Sequence, residues 1–219
     1  MRRSIAILPA LAALVAVPSA ASAATTVSFW HMNETSGSTM VDSVSGLNGT
    51  LSHVTTNVPA VFSPGYSFNG SSSVVTVPSS SKHNVPSSTT FTVSVYVRFP
   101  AIPSSSVGDF DLIRKGLSST SGGHWKMEIF GNGKGYCQFR GSSATATINN
   151  GPVLADNKWH HIQCIKRNTS VSLAVDNATF TKDTTVGSIS NSARLTVGAK
   201  STGGDWYKGV MDEVSISLG

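Results

Sequence analysis

The sequence predicts an all-β protein built as a two-sheet antiparallel β-sandwich of the jelly-roll type. Apolar residues alternate with other residues along several short stretches, turn-forming residues separate those stretches, and no long stretch has a convincing helical pattern. Alternation with a period of two places successive side chains on opposite faces of a strand. Many short strands of this kind, joined by turns, are typical of sandwiches and jelly rolls.

Three stretches show the alternation most clearly. Residues 91–99 carry an apolar residue at every second position, and residues 171–175 repeat the pattern over a shorter length. Residues 210–218 mark the last strand, with a break at Asp212 and Glu213. Glycine, asparagine, aspartate, proline and serine cluster between such stretches, and these residue types preset a turn or tolerate a positive φ.

The N-terminus predicts export. Arg2 and Arg3 precede an apolar run over residues 5–17, and Ala21-Ser22-Ala23 has the small-residue pattern of a cleavage site. The run is shorter than the roughly 20 residues that a membrane-spanning helix needs. We therefore predict a signal peptide over residues 1–23 and a secreted, extracellular domain over residues 24–219, with no insertion into a membrane.

The composition and net charge limit the classes of partner that the chain is expected to bind. Loss of the two leader arginines would lower the formal net charge from +5 to +3, and the longest basic run is Lys166-Arg167. Such a mild excess, without a basic helix or an aromatic-basic motif, does not indicate nucleic-acid binding. The length suits a single sandwich domain, and we expect a monomer.

The chain contains two cysteines, Cys137 and Cys164. An even pair in an oxidising compartment usually forms a disulfide bond. The alternatives are two buried free thiols or a metal site, although neither cysteine lies in a C-x-x-C pair.

Several segments, taken in order, resemble the laminin G-like (LamG) and concanavalin A-like lectin/glucanase superfamily. These segments, which lie between Val27 and Leu218, are Phe29–Gly37, Gly46–Leu51, Tyr66–Gly70, Val74–Pro78, Phe91–Phe99, Ile113–Gly116, Lys158–Ile162, Val171–Asp176, Leu195–Gly198 and Gly209–Val214. The resemblance implies two antiparallel sheets packed face to face, with a concave outer face on one sheet. Members of the superfamily include lectin-like modules, adhesion domains, glycosidases and polysaccharide lyases, so the resemblance constrains function less than fold.

The resemblance also implies a structural Ca²⁺ between the N-terminal segment and the last strand. Asp42, Asn48 and Asp212 are the matching oxygen donors, and Glu34 or Glu213 could add to them. Calcium takes several oxygen ligands, including backbone carbonyls of glycine-rich turns. The alternative is that these residues belong to ordinary turns and strand ends.

A polar sheet face is the candidate ligand site. If Cys137 and Cys164 lie on adjacent strands and point to one side, the residues that alternate with them point to the other side. The residues expected to line one concave surface are Tyr96, Arg98, Lys126, Glu128, Tyr136, Gln138, Arg140, His161 and Gln163. Such groups can stack on sugar rings and bond to hydroxyls, but a solvated sheet face is also polar.

Some of the same residues could instead catalyse a reaction on a polysaccharide. Tyr136, His161, Arg140 and Gln138 are the residue types with which a jelly-roll lyase would neutralise a uronate and abstract its proton. Glycoside hydrolysis needs two facing carboxylates, and Glu128 has no second acid on its own strand. We therefore expect non-catalytic carbohydrate binding or adhesion. The alternatives are a polysaccharide lyase acting on an acidic glycan and a protein-interaction domain without a glycan ligand.

Overall fold

A computed structural model describes residues 23–62 and 64–219. All of the predicted leader except Ala23 therefore lies outside the described residues. The described chain forms two antiparallel sheets packed as a sandwich, which confirms the predicted fold class. The helical structure within it is a three-residue 3₁₀ helix, Ser81–His83. No helix in this part of the chain has the length and apolar character needed to cross a membrane.

Sixteen strands are described. They are β1 (Thr25–Trp30), β2 (Thr39–Met40), β3 (Gly49–Ser52), β4 (Thr55–Val58), β5 (Gly65–Asn69), β6 (Val74–Val77), β7 (Phe91–Arg98), β8 (Phe110–Lys115), β9 (His124–Ile129), β10 (Gly135–Arg140), β11 (Thr145–Ile148), β12 (His160–Lys166), β13 (Ser170–Val175), β14 (Ala178–Asp183), β15 (Leu195–Val197) and β16 (Lys208–Leu218).

The strands divide between two sheets of eight. Sheet 1 has the order β14-β13-β12-β7-β16-β5-β4, and β1 pairs with β16 beside this path. Sheet 2 has the order β11-β10-β9-β8-β15-β6-β3-β2. Neighbours in space are often distant in sequence, as where the last strand, β16, lies between β7 and β5. Long-range pairing of this kind is the rule in Greek-key and jelly-roll sandwiches.

The core lies between the sheets and is built from the alternating apolar residues. Phe91, Val93, Val95 and Val97 on β7 are fully buried, and so is Leu173 on β13 of the same sheet. Complete burial of such side chains contributes roughly 1.5–3 kcal/mol each. The predicted inward series on β7 is therefore confirmed, whereas on β13 every residue from Val171 to Val175 is buried.

The predicted break in the last strand is a β-bulge. The register of β16 against β7 shifts between Asp212 and Ser215, and Glu213 has a φ of 53°. The bulge changes which residues point inward, so Met211 and Val214 are both fully buried although they lie three positions apart. Val210, which the sequence placed in the inward series, is only partly buried.

The disulfide bond between Cys137 and Cys164 is present, with a Cα–Cα distance of 5.6 Å. Its strands, however, belong to different sheets, because Cys137 lies on β10 of sheet 2 and Cys164 lies on β12 of sheet 1. The bond crosses the core, and both cysteines are almost completely buried. The premise that the two cysteines lie on adjacent strands of one sheet is therefore wrong.

His83 is a buried polar group in this core. Its Nε2 atom lies 2.8 Å from the Ser28 hydroxyl, and its carbonyl accepts a hydrogen bond from the Trp125 indole at 3.0 Å. The side chain is fully buried. Burial, with a smaller contribution from the charge of Lys115, lowers the pKa of His83 to about 4. The folded protein therefore holds this imidazole neutral.

Removal of the disulfide bond should lower stability without changing the fold. In a chain-entropy account, the bond contributes on the order of 3 kcal/mol by restricting the unfolded chain. We expect the free energy of unfolding of the double variant Cys137→Ala/Cys164→Ala, measured in urea, to be lower than that of the wild-type protein by this amount. A loss below about 1 kcal/mol would mean that the bond adds little to the packed core.

Stability should fall between about pH 6.5 and pH 4 because of His83. Its pKa in the folded state lies below the unfolded value, so the unfolded state binds more protons as the pH falls. The expected loss by pH 4 is about 3 kcal/mol. In urea unfolding across this range, His83→Gln should have a shallower pH dependence than the wild-type protein. Parallel curves for the two proteins would contradict the assignment.

Candidate functional site

The outer face of sheet 2 carries a concentration of polar and charged side chains. The strand register places Tyr136 opposite Glu128 and Gln138 opposite Lys126 on neighbouring strands β10 and β9. Directly opposite residues on one face lie close enough to interact. We call this surface the sheet-2 face; it comprises Asp111, Arg114, His124, Lys126, Glu128, Tyr136, Gln138 and Arg140.

A β-bulge in β8 adds two charges to this face. The register of β8 against β9 shifts between Asp111 and Ile113. In a regular strand, residues three positions apart point to opposite faces. Because of the extra residue, Asp111 and Arg114 both join the sheet-2 face, while Leu112 and Ile113 are both buried in the core.

These charges form a buried network. Arg114 Nη1 lies 2.8 Å from Asp111 Oδ2 and 3.9 Å from Glu128 Oε1, and Lys126 Nζ lies 2.5 Å from the same Glu128 oxygen. The Asp111 and Glu128 side chains are 1% and 0% exposed. Charges taken out of water need partners, so the network depends on each member remaining in place.

A second line of hydrogen bonds runs across β9 and β10. Arg140 Nε donates to His124 Nδ1 at 3.1 Å, and His124 Nε2 lies 2.8 Å from Gln138 Oε1. Since a guanidinium can only donate, Nδ1 is the acceptor and the imidazole proton resides on Nε2. Gln138 Nε2 then donates to the Tyr136 hydroxyl at 2.9 Å. Burial lowers the pKa of His124, and the nearby Arg140 lowers it further.

A groove of about 360 Å³ lies over this face. Lys126, Gln138 and Lys200 are among the residues that line it. Beside the groove, the rings of Phe130 and Tyr136 stack with centroids 5.3 Å apart, and Lys126 Nζ lies 5.0 Å from the centroid of the Tyr136 ring. Phe130 is 43% exposed, which leaves an aromatic surface open to solvent next to fixed polar groups.

Acidic side chains from three elements meet at one end of the groove. Glu128 comes from β9, Asp109 precedes β8, and Asp205 lies in the loop between β15 and β16. One carboxylate oxygen of each lies within 4.8 Å of the other two. Burial and the neighbouring Asp111 raise the pKa of Glu128, and burial together with Asp205 raises the pKa of Asp109.

Glu128 is the one acid on its own strand, as expected, but a second acid faces it from the neighbouring strand. Asp111 on β8 is directly opposite Glu128. Acids on neighbouring strands meet as readily as acids on one strand, because the pairing register sets the distance. Glu128 is nevertheless fully buried, which separates its carboxyl group from any sugar in the groove.

The remaining predicted ligand-binding residues lie on the opposite side of the molecule. Tyr96 on β7 and His161 on β12 pair in sheet 1, where their rings stack with centroids 4.3 Å apart. Arg98 lies over the Trp159 ring at 5.1 Å, and Gln163 pairs with Ser94. The prediction that all nine residues line one surface is therefore wrong, because β10 and β12 belong to different sheets.

The residues expected to hold Ca²⁺ are engaged in hydrogen bonds. Asp42 Oδ1 accepts from the backbone N–H of Phe29 and Val44, both at 3.0 Å. Asn48 Oδ1 accepts from Asp42 N at 2.9 Å, and Asp212 Oδ2 accepts from a backbone N–H at 2.8 Å. Calcium at Asp42, Asn48 and Asp212 stays a prediction, and these bonds occupy several of the oxygens it would use.

Sequence reasoning missed several residues of the sheet-2 face. His124 begins β9 and shares its outward alternation with Lys126, a signal that the sequence does contain. Asp205 and Lys200 reach the face from a loop, and their ion pair at 2.5 Å follows no strand pattern. Only the folded structure shows that Asp205 and Lys200 belong to the site.

The fold is a lectin-like β-sandwich: two antiparallel sheets pack face to face, and the outer face of sheet 2 carries polar and charged side chains. The family model of the concanavalin A-like lectin/glucanases superfamily of laminin G type matches residues 69–218. The chain belongs to this family, which confirms the resemblance in its sequence. No curated protein sequence matches the chain.

Solved structures with the same fold come from diverse proteins. The binding domain of Paraclostridial Mosquitocidal Protein 1 aligns with a TM-score of 0.66 and 16% identity, over 87% of this chain and 48% of that one. Domain 4 of an extracellular arabinanase from Geobacillus stearothermophilus, in complex with arabinotriose, aligns with a TM-score of 0.63 and 15% identity, over 90% and 93%. Mouse laminin α1 domains LG4-5 align with a TM-score of 0.53 and 16% identity, over 69% and 40%.

This chain spans about half the length of the first of these proteins. At such identities the likeness establishes the fold alone.

Substitution of Arg114 should be far more costly than substitution of an exposed lysine. Arg114→Met leaves Asp111 buried without its partner, for which we expect a loss of about 3–5 kcal/mol in urea unfolding. The control is Lys158→Met, which removes a 3.7 Å ion pair to Asp156 from a side chain that is 78% exposed. That change should cost less than about 1 kcal/mol. Equal, small losses for both variants would show that the buried network does not stabilise the fold.

Proposed function

We propose that this chain is an exported, non-catalytic carbohydrate-binding domain whose sugar site is the groove on the sheet-2 face. The observation that carries the proposal is the fixed line from Arg140 to Tyr136 beside the exposed Phe130 ring. Sugar sites combine a flat apolar surface for the ring with polar groups held at set positions for the hydroxyls. Both features lie side by side on this face.

The orientation of the hydrogen bonds favours sugar hydroxyls as ligands. Gln138 donates to the Tyr136 hydroxyl, so the proton of that hydroxyl remains available to a ligand oxygen. Lys126 and Lys200 line the groove as donors, and Asp205 lines it as an acceptor. Because neighbouring residues already hold these groups in place, binding would require little additional ordering.

The comparisons support the same interpretation. The arabinanase domain that shares the fold over nearly its whole length is described in complex with arabinotriose. Toxin binding domains and a sialidase also contain this sandwich. Export is supported by the leader-like N-terminus and by the disulfide bond, which persists in oxidising compartments.

The side chains of the sheet-2 face favour binding over a lyase reaction. His161, the expected imidazole base, lies on sheet 1, on the far side of the core from Tyr136. The imidazole that does lie beside Gln138 is His124, which is 2% exposed and has both nitrogens engaged. A base must reach the substrate proton directly or through one water. The His124 imidazole borders the groove, but protein partners already occupy both of its nitrogens, so neither is free to accept that proton.

The test is binding to immobilised neutral and acidic polysaccharides, including arabinan, while absorbance near 235 nm is followed for unsaturated products. We expect retention on a glycan without growth of absorbance. Tyr136→Ala should weaken binding at least tenfold, which corresponds to about 1.4 kcal/mol. The matched control is Tyr96→Ala, which removes a stacked tyrosine from the sheet-1 face and should leave binding unchanged.

Other outcomes would replace the proposal. Growing absorbance that Tyr136→Ala abolishes would make the protein a lyase. Loss of binding in Tyr96→Ala alone would move the site to sheet 1. Absence of binding to every glycan in the panel would favour the protein-interaction alternative.

A further inference from the structure

We propose that Asp109, Glu128 and Asp205 bind one divalent cation, best suited to Ca²⁺, at the end of the groove on the sheet-2 face. This site is separate from the one expected at Asp42, Asn48 and Asp212. Its occupancy can be measured without a sugar, because its ligands are protein carboxylates, and it shares Asp205 with the proposed sugar groove.

The spacing of the three carboxylates fits a shared ion. One oxygen of each lies within 4.8 Å of the other two. Calcium binds oxygen ligands at about 2.3–2.6 Å, so two ligands on opposite sides of the ion are separated by about 5 Å at most. The three oxygens can therefore lie around one Ca²⁺ without rearrangement of the backbone, and water or a ligand hydroxyl can complete the coordination.

The fold holds the three ligands from separate elements. Glu128 is fixed by its position on β9, and Asp109 immediately precedes β8. The loop that carries Asp205 is tied to β8, because Asp111 N donates to Asp205 O at 2.8 Å. Ligands contributed by a strand, a strand entrance and an anchored loop converge on one point, which is the arrangement expected of a built site.

A second, independent observation also points to a ligand there. Glu128 is 0% exposed, yet its Oε2 atom has no hydrogen-bond partner among the described residues. Buried Asp111 Oδ1 and Asp109 Oδ1 have none either. Buried carboxylate oxygens without a donor are costly and rare, and each needs a physical explanation. A cation bound at the cluster would give the Asp109 and Glu128 carboxylates a positive partner.

The local charge allows this ion. Four carboxylates, those of Asp109, Asp111, Glu128 and Asp205, face three cationic side chains, those of Arg114, Lys126 and Lys200, so one negative charge is left when all are ionised. Lys200 is 36% exposed and can leave Asp205 for solvent when an ion enters. The raised pKa values of Asp109 and Glu128 have the same origin, because burial and neighbouring carboxylates disfavour the charged forms.

The alternative to a cation is a proton shared between the carboxyl groups, and counting bound ions separates the two. The full chain is stripped with EDTA, dialysed into chelator-free buffer and titrated with CaCl₂ by isothermal calorimetry in the absence of sugar. We expect Asp109→Asn and Asp205→Asn each to bind one Ca²⁺ fewer than the wild-type protein, or to bind it at least tenfold more weakly. Near-ultraviolet circular dichroism verifies that each variant is folded.

Asp212→Asn is the matched control. It makes the same isosteric change at the predicted calcium position on the other sheet, and it should retain the ion assigned to Asp109, Glu128 and Asp205. The proposal is overturned if the wild-type protein binds no Ca²⁺, or if the Asp109 and Asp205 variants bind as many ions as it does with equal affinity. Glycan binding can fail while these results stand, so the two proposals are tested separately.

Discussion

The disulfide bond across the core is the constraint on which the arrangement of the faces depends. Cys137 and Cys164 point inward from different sheets, so their strand neighbours point outward on opposite sides of the molecule. Tyr136 and Gln138 therefore share a face with β9, whereas His161 and Gln163 share one with β7. Alternation along each strand and one covalent link between the sheets together assign every outward side chain on β10 and β12 to its surface.

The sheet-2 face differs from an ordinary solvated sheet face because three of its charged residues, Asp111, Arg114 and Glu128, are buried. Loop residues such as Asp205 cover part of the face and remove Glu128 and Asp111 from water. Replacement of buried charges by apolar residues is often neutral or stabilising, so such a network is weak support for a role in stability alone. Its presence agrees better with the proposed site, at which charged groups are held in place for a sugar in the groove and a cation beneath it.

Much of the fold follows from the sequence, because alternation and turn residues act locally. The pattern over residues 91–99 identified β7 and its buried face, and two cysteines in a chain predicted to be exported indicated the disulfide bond. The sequence does not reveal to which of the two sheets each strand belongs, because β10 and β12 show the same alternation. The bulge that brings Arg114 beside Asp111, and the loop that carries Asp205 to Glu128, arise from tertiary packing, so the acidic cluster could not be predicted.

Amide chemical-shift mapping tests most directly whether the sheet-2 face is the ligand-binding surface. Spectra of the ¹⁵N-labelled protein would be recorded while an oligosaccharide of the retained glycan, arabinotriose in the case of arabinan, is added. If the sugar binds this face, the largest shift changes will fall on β8 to β11 and on the loop before β16. Changes concentrated on β7 and β12, around Tyr96 and His161, would contradict it.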